Sequence, residues 1–214
     1  MANTNVKKRK KKRKSVKKLK YSNRKLNLVN LVTAAGVILI LVVIILAARG
    51  CGGNSHRTPE GVVESYIKAA AAGKTKSMAD CYGVDSPSGT LQTEIESTVN
   101  YFKAHGTKSV NIQGCESVSD SKDYTYIYIR YNLVLSNEQE YPCLSTYLVK
   151  AKDKKYYIYQ PDEITDEISQ KAATDYQKFM TTKTYEDFKQ EYDVFLKKNP
   201  GYEDEIASKL QEGY

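Results

Sequence analysis

Tyr124-Thr125-Tyr126-Ile127-Tyr128-Ile129-Arg130-Tyr131-Asn132-Leu133-Val134-Leu135 is the stretch that decides the fold class. Side chains of an extended chain alternate between two faces. Thr125, Ile127, Ile129, Tyr131, Leu133 and Leu135 therefore share one face, and Tyr124, Tyr126, Tyr128, Arg130 and Asn132 the other. A strand with one apolar face predicts an antiparallel sheet packed on helices by that face, with the tyrosine-rich face partly wet. Strand-like segments at 109–118, 141–151 and 155–159 surround it, separated by short polar stretches at 119–123, 136–138 and 153–154. Short polar separators are what hairpins require, so a four-stranded meander is expected. The third strand is expected to add Leu144, Thr146 and Leu148 to the inner face, where Tyr131 and Thr146 read as core hydroxyls satisfied internally.

Upstream the period changes to that of helices. Thr58 is a candidate N-cap, Pro59 suits the first helical position, and Glu60 suits the positive helix end. Val62, Val63, Tyr66, Ile67 and Ala70 follow at helical spacing, and Gly73 can end the helix. A second short helix is predicted over 75–82, with Met78 and Cys81 inward. A loop over 83–89 then leads to a third helix over 90–104, whose apolar stripe is Leu91, Ile95, Val99 and Phe102.

Downstream, residues 162–180 carry Ile164, Ile168, Ala172, Tyr176 and Phe179 along one stripe. Thr184-Tyr185-Glu186-Asp187 resembles a capping box, and Asn199-Pro200 is read as the start of a last helix with Tyr202, Ile206 and Leu210. Residues 160–214 hold 13 acidic and 7 basic residues, a net charge of −6. These acidic helices either fold on themselves or the sheet, or form a partner-binding arm. The candidate interface is Tyr124, Tyr126, Tyr128 and Arg130 on the sheet with Tyr185, Phe188, Tyr192 and Phe195 on the helices.

The amino terminus predicts the compartment. Thirteen Lys/Arg and no Asp or Glu lie between Lys7 and Lys25, and the run from Leu31 to Ala48 is uncharged and apolar. Eighteen residues make roughly 27 Å of helix, close to a bilayer's hydrocarbon thickness. The expected organisation is a basic cytoplasmic tail (1–28), a transmembrane helix (29–48), a linker (49–57), a folded domain (58–160) and an acidic helical extension (161–214). The basic flank sets the amino terminus inside and the carboxyl terminus outside a single-pass cell-membrane protein. A cleaved signal peptide fits less well, because the basic region is long and Arg49 stands where cleavage would fall. The same arginine sits before Cys51 and argues against a lipoprotein.

The whole chain is formally +8, yet residues 26–214 carry −5. The tail is expected to meet anionic lipid. It holds one aromatic, Tyr21, and no base-reading motif, so nucleic acid is not an expected partner. An envelope protein is the expected partner, with a second copy of the chain as an open alternative.

Catalytic signatures are scarce. The only histidines are His56, in the linker, and His105, at the predicted end of the third helix, where a charged ring would be stabilising. Cys51, Cys81, Cys115 and Cys143 show no metal-binding spacing, so no metal or cofactor is expected. A Cys143–His105 nucleophilic pair has no third member in the sequence, and Asp80 and Asp85 remain open as a base. A disulfide from Cys81 to either strand cysteine, free buried thiols, and an intermolecular bridge at Cys51 all stay open.

The pattern Thr58-Pro59-Glu60-x-Val62-Val63-x-x-Tyr66-Ile67, with Ala70, Gly73 and Met78, resembles the opening of nuclear-transport-factor-2-like domains of the cystatin-like superfamily. Many bacterial envelope proteins carry such a domain outside a single membrane anchor. Over residues 58–160 the resemblance implies an α+β fold: a cone-shaped roll of about three helices and a four-stranded antiparallel sheet, here followed by C-terminal helices. It implies a pocket between sheet and helices. Some relatives use an acid–base pair there, others bind small ligands, and many are scaffolds. The residues favour a noncatalytic assembly or protein-interaction module in the bacterial envelope. Alternatives are a ligand-binding or enzymatic pocket, and a tail acting as a cytoplasmic adaptor to lipid or nucleic acid.

Overall fold

In the computed structural model the decisive stretch is β2 (Thr125–Leu135), an inner strand of a sheet ordered β1 (Thr107–Asp120), β2, β3 (Glu140–Lys152), β4 (Lys155–Ile158), with every neighbour antiparallel. The structure describes residues 55–212. The basic tail, the apolar run and Cys51 lie outside the described residues. Among the described residues no helix is long and apolar enough to cross a membrane.

Among the described residues three α-helices precede the sheet: α1 (Pro59–Ala71), α2 (Thr75–Cys81) and α3 (Gly89–Ala104). Thr58 caps α1, its hydroxyl accepting the Gly61 amide at 3.0 Å. Gly73 turns the chain at φ +64, a conformation that strains residues bearing a Cβ. The buried stripes of α1 and α3 meet Ile127, Ile129, Tyr131 and Leu133 of β2 in the main core.

β1 is long and irregular for a physical reason. Its pairing with β2 shifts by one residue between Thr107 and Ser109, between Ile112 and Gly114, and between Ser117 and Ser119. Each bulge bends the strand and resets which side chains face inward. Val110, Ile112 and Cys115 therefore pack on the main core, while Val118 packs on the opposite side.

Three helices follow the sheet: α4 (Asp166–Phe179), α5 (Lys183–Lys198) and α6 (Tyr202–Glu212). The cap of α5 is Thr182, two residues before the predicted capping box; its hydroxyl accepts the Tyr185 amide. Asn199 ends α5 rather than starting α6, with its side-chain amide donating to the Phe195 carbonyl at 2.9 Å.

Two expectations about the sheet are corrected. Tyr131 pairs with Cys143, Ile129 with Ser145 and Ile127 with Tyr147. The inner face of β3 is thus Tyr141, Cys143, Ser145, Tyr147 and Val149, and Leu144, Thr146 and Leu148 lie on the outer face. The outer face is also covered. Tyr124, Tyr126 and Leu148 form a second apolar cluster with Ala172 of α4, flanked by Ile168 and Tyr176. With both faces packed, hydrophobicity alone cannot tell which side a leucine takes.

Candidate functional site

A cavity of about 550 Å³ lies between α3, the inner sheet face and α5. Its geometry follows from helical spacing. The stripe of Leu91, Ile95 and Phe102 turns into the core, which leaves Glu94, Ser97, Thr98 and Tyr101 on the adjoining face of α3. Tyr131 of β2 and Cys143, Ser145 and Tyr147 of β3 form the floor, and Phe188 and Tyr192 of α5 the remaining wall. The volume falls within the range of small-molecule sites.

Its polar groups are ordered. Tyr82 donates to Glu94 Oε1 at 2.6 Å, Tyr66 lies 3.3 Å from the Thr98 hydroxyl, and Tyr131 lies 3.3 Å from the Ser145 hydroxyl. Burial pushes the Tyr101, Tyr131 and Tyr147 hydroxyls well above the ordinary phenol range. Burial likewise pushes the Cys143 thiol up to about 12. All four are neutral near pH 7. Behind the wall, Glu203 of α6 accepts from Tyr141 at 2.6 Å and from Tyr192 at 2.9 Å.

The predicted interface residues fall in different settings. Tyr124, Tyr126 and Tyr128 are only 4%, 6% and 7% exposed, beneath α4 and Phe179 at its carboxyl end. Tyr126 donates to Thr146 at 2.9 Å, and the Tyr128 ring stacks on Phe179 at 4.9 Å. Arg130 pairs with Glu191 of α5. Phe195 is buried in the main core against Tyr141, ring centroids 5.1 Å apart. Phe188 and Tyr192 line the cavity, and Tyr185 packs edge-on against Tyr176 and Phe179. The sequence does not reveal the cavity residues of β3, because the inner face falls on Cys143, Ser145 and Tyr147 rather than on the expected Leu144, Thr146 and Leu148. Glu94, Ser97, Thr98 and Tyr101 could have been found as the i, i+3, i+4, i+7 row beside the apolar stripe.

The nucleophile and base candidates lie in settings that oppose those roles. Burial lowers His105 to about 4, so the ring is neutral near pH 7 and is not the charged helix terminus expected of it. Its Nδ1 lies 2.8 Å from the Tyr202 hydroxyl, and the buried Nε2 has no partner among the described residues. A neutral thiol and a neutral imidazole are the reverse of an activated pair. Asp80 is largely exposed and lies 3.1 Å from His56 Nε2, while Asp85 is exposed on its loop. Cys81, Cys115 and Cys143 are free thiols. Among the described residues no His, Cys, Asp or Glu cluster is disposed to hold a metal ion.

No protein-family model matches the chain, and no curated protein matches it. Among solved structures it is similar to the crystal structure of a proposed NTF2-like transpeptidase from Campylobacter jejuni. The two are 18% identical, the match covers 48% of this chain and 98% of that one, and the TM-score is 0.33.

Proposed function

We propose that the chain is a single-pass bacterial envelope protein, amino terminus inside. Residues 55–212 then act outside the membrane as a noncatalytic interaction module of the nuclear-transport-factor-2-like type. One observation carries the placement. In the sequence, thirteen Lys/Arg with no Asp or Glu between Lys7 and Lys25 precede the uncharged apolar run from Leu31 to Ala48, and the described residues open on a 3-10 turn, Ser55–Arg57. His56 fastens that turn to the domain, Nδ1 lying 2.7 Å from the Tyr156 carbonyl and the ring 4.7 Å from Tyr157. The resemblance of α1, together with the order of three helices and a four-stranded meander, supports the family reading. The surface offered to a partner is on α5, where Tyr185 and Phe188 are half-buried beside exposed Glu186 and Glu191. Aromatic side chains within a charged rim suit protein recognition.

A photoreactive phenylalanine analogue in place of Phe188, in living cells, tests the whole reading. Irradiation is expected to give a heavier adduct that external protease degrades in spheroplasts while the basic tail stays protected. No adduct, or an adduct protected from external protease, overturns it.

A further inference from the structure

The cavity between α3 and α5 has an electrostatic character that the interaction reading leaves unused. Its one carboxylate is Glu94, and none of its lining residues is Lys, Arg or His. Tyr82 occupies Glu94 Oε1, which fixes the carboxylate and leaves Oε2 for another donor. The hydroxyls and thiol of the floor are neutral acceptors or weak donors. Aromatic side chains, Tyr101, Tyr131, Tyr147, Phe188 and Tyr192, make up much of the wall. The Tyr192 phenol donates to Glu203, and donation to a carboxylate enriches the ring in electron density. A negative charge framed by aromatic rings attracts a cation and repels an anion.

The kind of cation follows from the donor set. A hard metal ion needs several carboxylate or carbonyl oxygens, and one carboxylate does not supply them. An ammonium group needs acceptors for three N–H bonds. Glu94 Oε2, the Thr98 hydroxyl and the Ser145 hydroxyl offer three, and the rings suit the alkyl stem behind the nitrogen. We propose that this cavity binds a primary alkylammonium group, either of a free amine or at the end of a lysyl side chain. The inference goes beyond the interaction reading and does not depend on membrane topology.

The test titrates the full chain in detergent micelles, followed by amide resonances, with n-butylammonium, n-butanol and butyrate in parallel. N-butylammonium is expected to shift the amides of Ser97, Thr98 and Ser145, with butanol and butyrate at least tenfold weaker. Equal binding of butanol, or shifts centred elsewhere, overturns the proposal. Glu94→Gln is expected to weaken butylammonium at least tenfold, and unchanged affinity overturns it. The comparison of the three probes needs no variant, so the proposal stays refutable even where Glu94→Gln fails to fold. An acetylated, amidated lysine peptide, set against the same peptide with norleucine, separates the sources. Tighter binding than butylammonium identifies a lysyl side chain, and weaker binding identifies a free amine.

Discussion

Replacing Tyr126 with alanine tests whether the outer sheet face is core or surface. The ring is buried under Ala172 and Tyr176, and its hydroxyl donates to Thr146 at 2.9 Å. Truncating a buried aromatic to alanine costs about 3–5 kcal/mol, and a lost hydrogen bond adds about 1 kcal/mol. A small opening of about 230 Å³ beside Tyr126, Ala173 and Tyr176 lets water relieve part of the void. The expected loss is therefore near the lower end, about 3 kcal/mol, against a domain stability of about 5–15 kcal/mol. The assay is urea unfolding of the full chain in detergent micelles, followed by far-ultraviolet circular dichroism. With a slope of about 1–3 kcal/mol per molar, the midpoint should fall by roughly 1–3 M. Ile127→Ala, on the opposite face, should cost about 2–5 kcal/mol in the same experiment. A solvated tyrosine would change stability by only about 0.5 kcal/mol. A loss below about 1 kcal/mol at unchanged slope would refute the packing of α4 on the sheet.

The buried His105 makes stability pH-dependent. Its pKa falls on folding from 6.5 to about 4, because burial disfavours the cation. The unfolded chain therefore takes up the proton first as pH drops. The contribution is fully present above about pH 6.5 and is lost progressively down to about pH 4. Unfolding midpoints between these values should fall more steeply in the parent chain than in His105→Gln; parallel curves would contradict the buried neutral ring. Gly83 has φ +73, and an added Cβ would meet Tyr157 Cδ1 at 3.0 Å. Gly83→Ala should cost more than about 1 kcal/mol by thermal or urea unfolding, and more than Gly73→Ala, whose position is open.

What the sequence revealed depended on whether one local signal sufficed. The Thr58 cap and its following proline placed α1, because a hydroxyl satisfies a free amide within three residues and needs no tertiary contact. The alternation of β2 gave its two faces correctly, since successive side chains on a strand must oppose. The face of β3 was not legible. Its parity depends on the connection after Leu135, where Glu138 adopts φ +64 and its amide donates to the Leu135 carbonyl at 3.0 Å. Shifting that turn by one residue would exchange Leu144 for Cys143 as the neighbour of Tyr131. The cavity was lost with the register, because three of its floor residues belong to β3.

The wet outer face was misjudged for a different reason, and it lies in the chemistry of tyrosine. Tyrosine buries a large ring yet keeps a hydroxyl that either water or a protein group can satisfy. Alternating tyrosines on β2 therefore fit a solvated face and a covered face equally well. Each covered ring whose hydroxyl turns inward needs a partner, and those partners lie far away in sequence: Thr146 for Tyr126, Glu203 for Tyr141 and Tyr192. The evidence for cover was in α4 rather than in the strand. Its stripe of Ile168, Ala172, Tyr176 and Phe179 is too narrow to build a core by itself and has to lie on an apolar surface already formed. The inner face of β2 was already committed to α1 and α3. The tyrosine face was then the apolar surface left for α4, and Ala172 is small enough to let the helix approach Tyr124 and Tyr126 closely. Counting the helices that need a surface against the sheet faces that offer one predicts the cover, where strand alternation cannot.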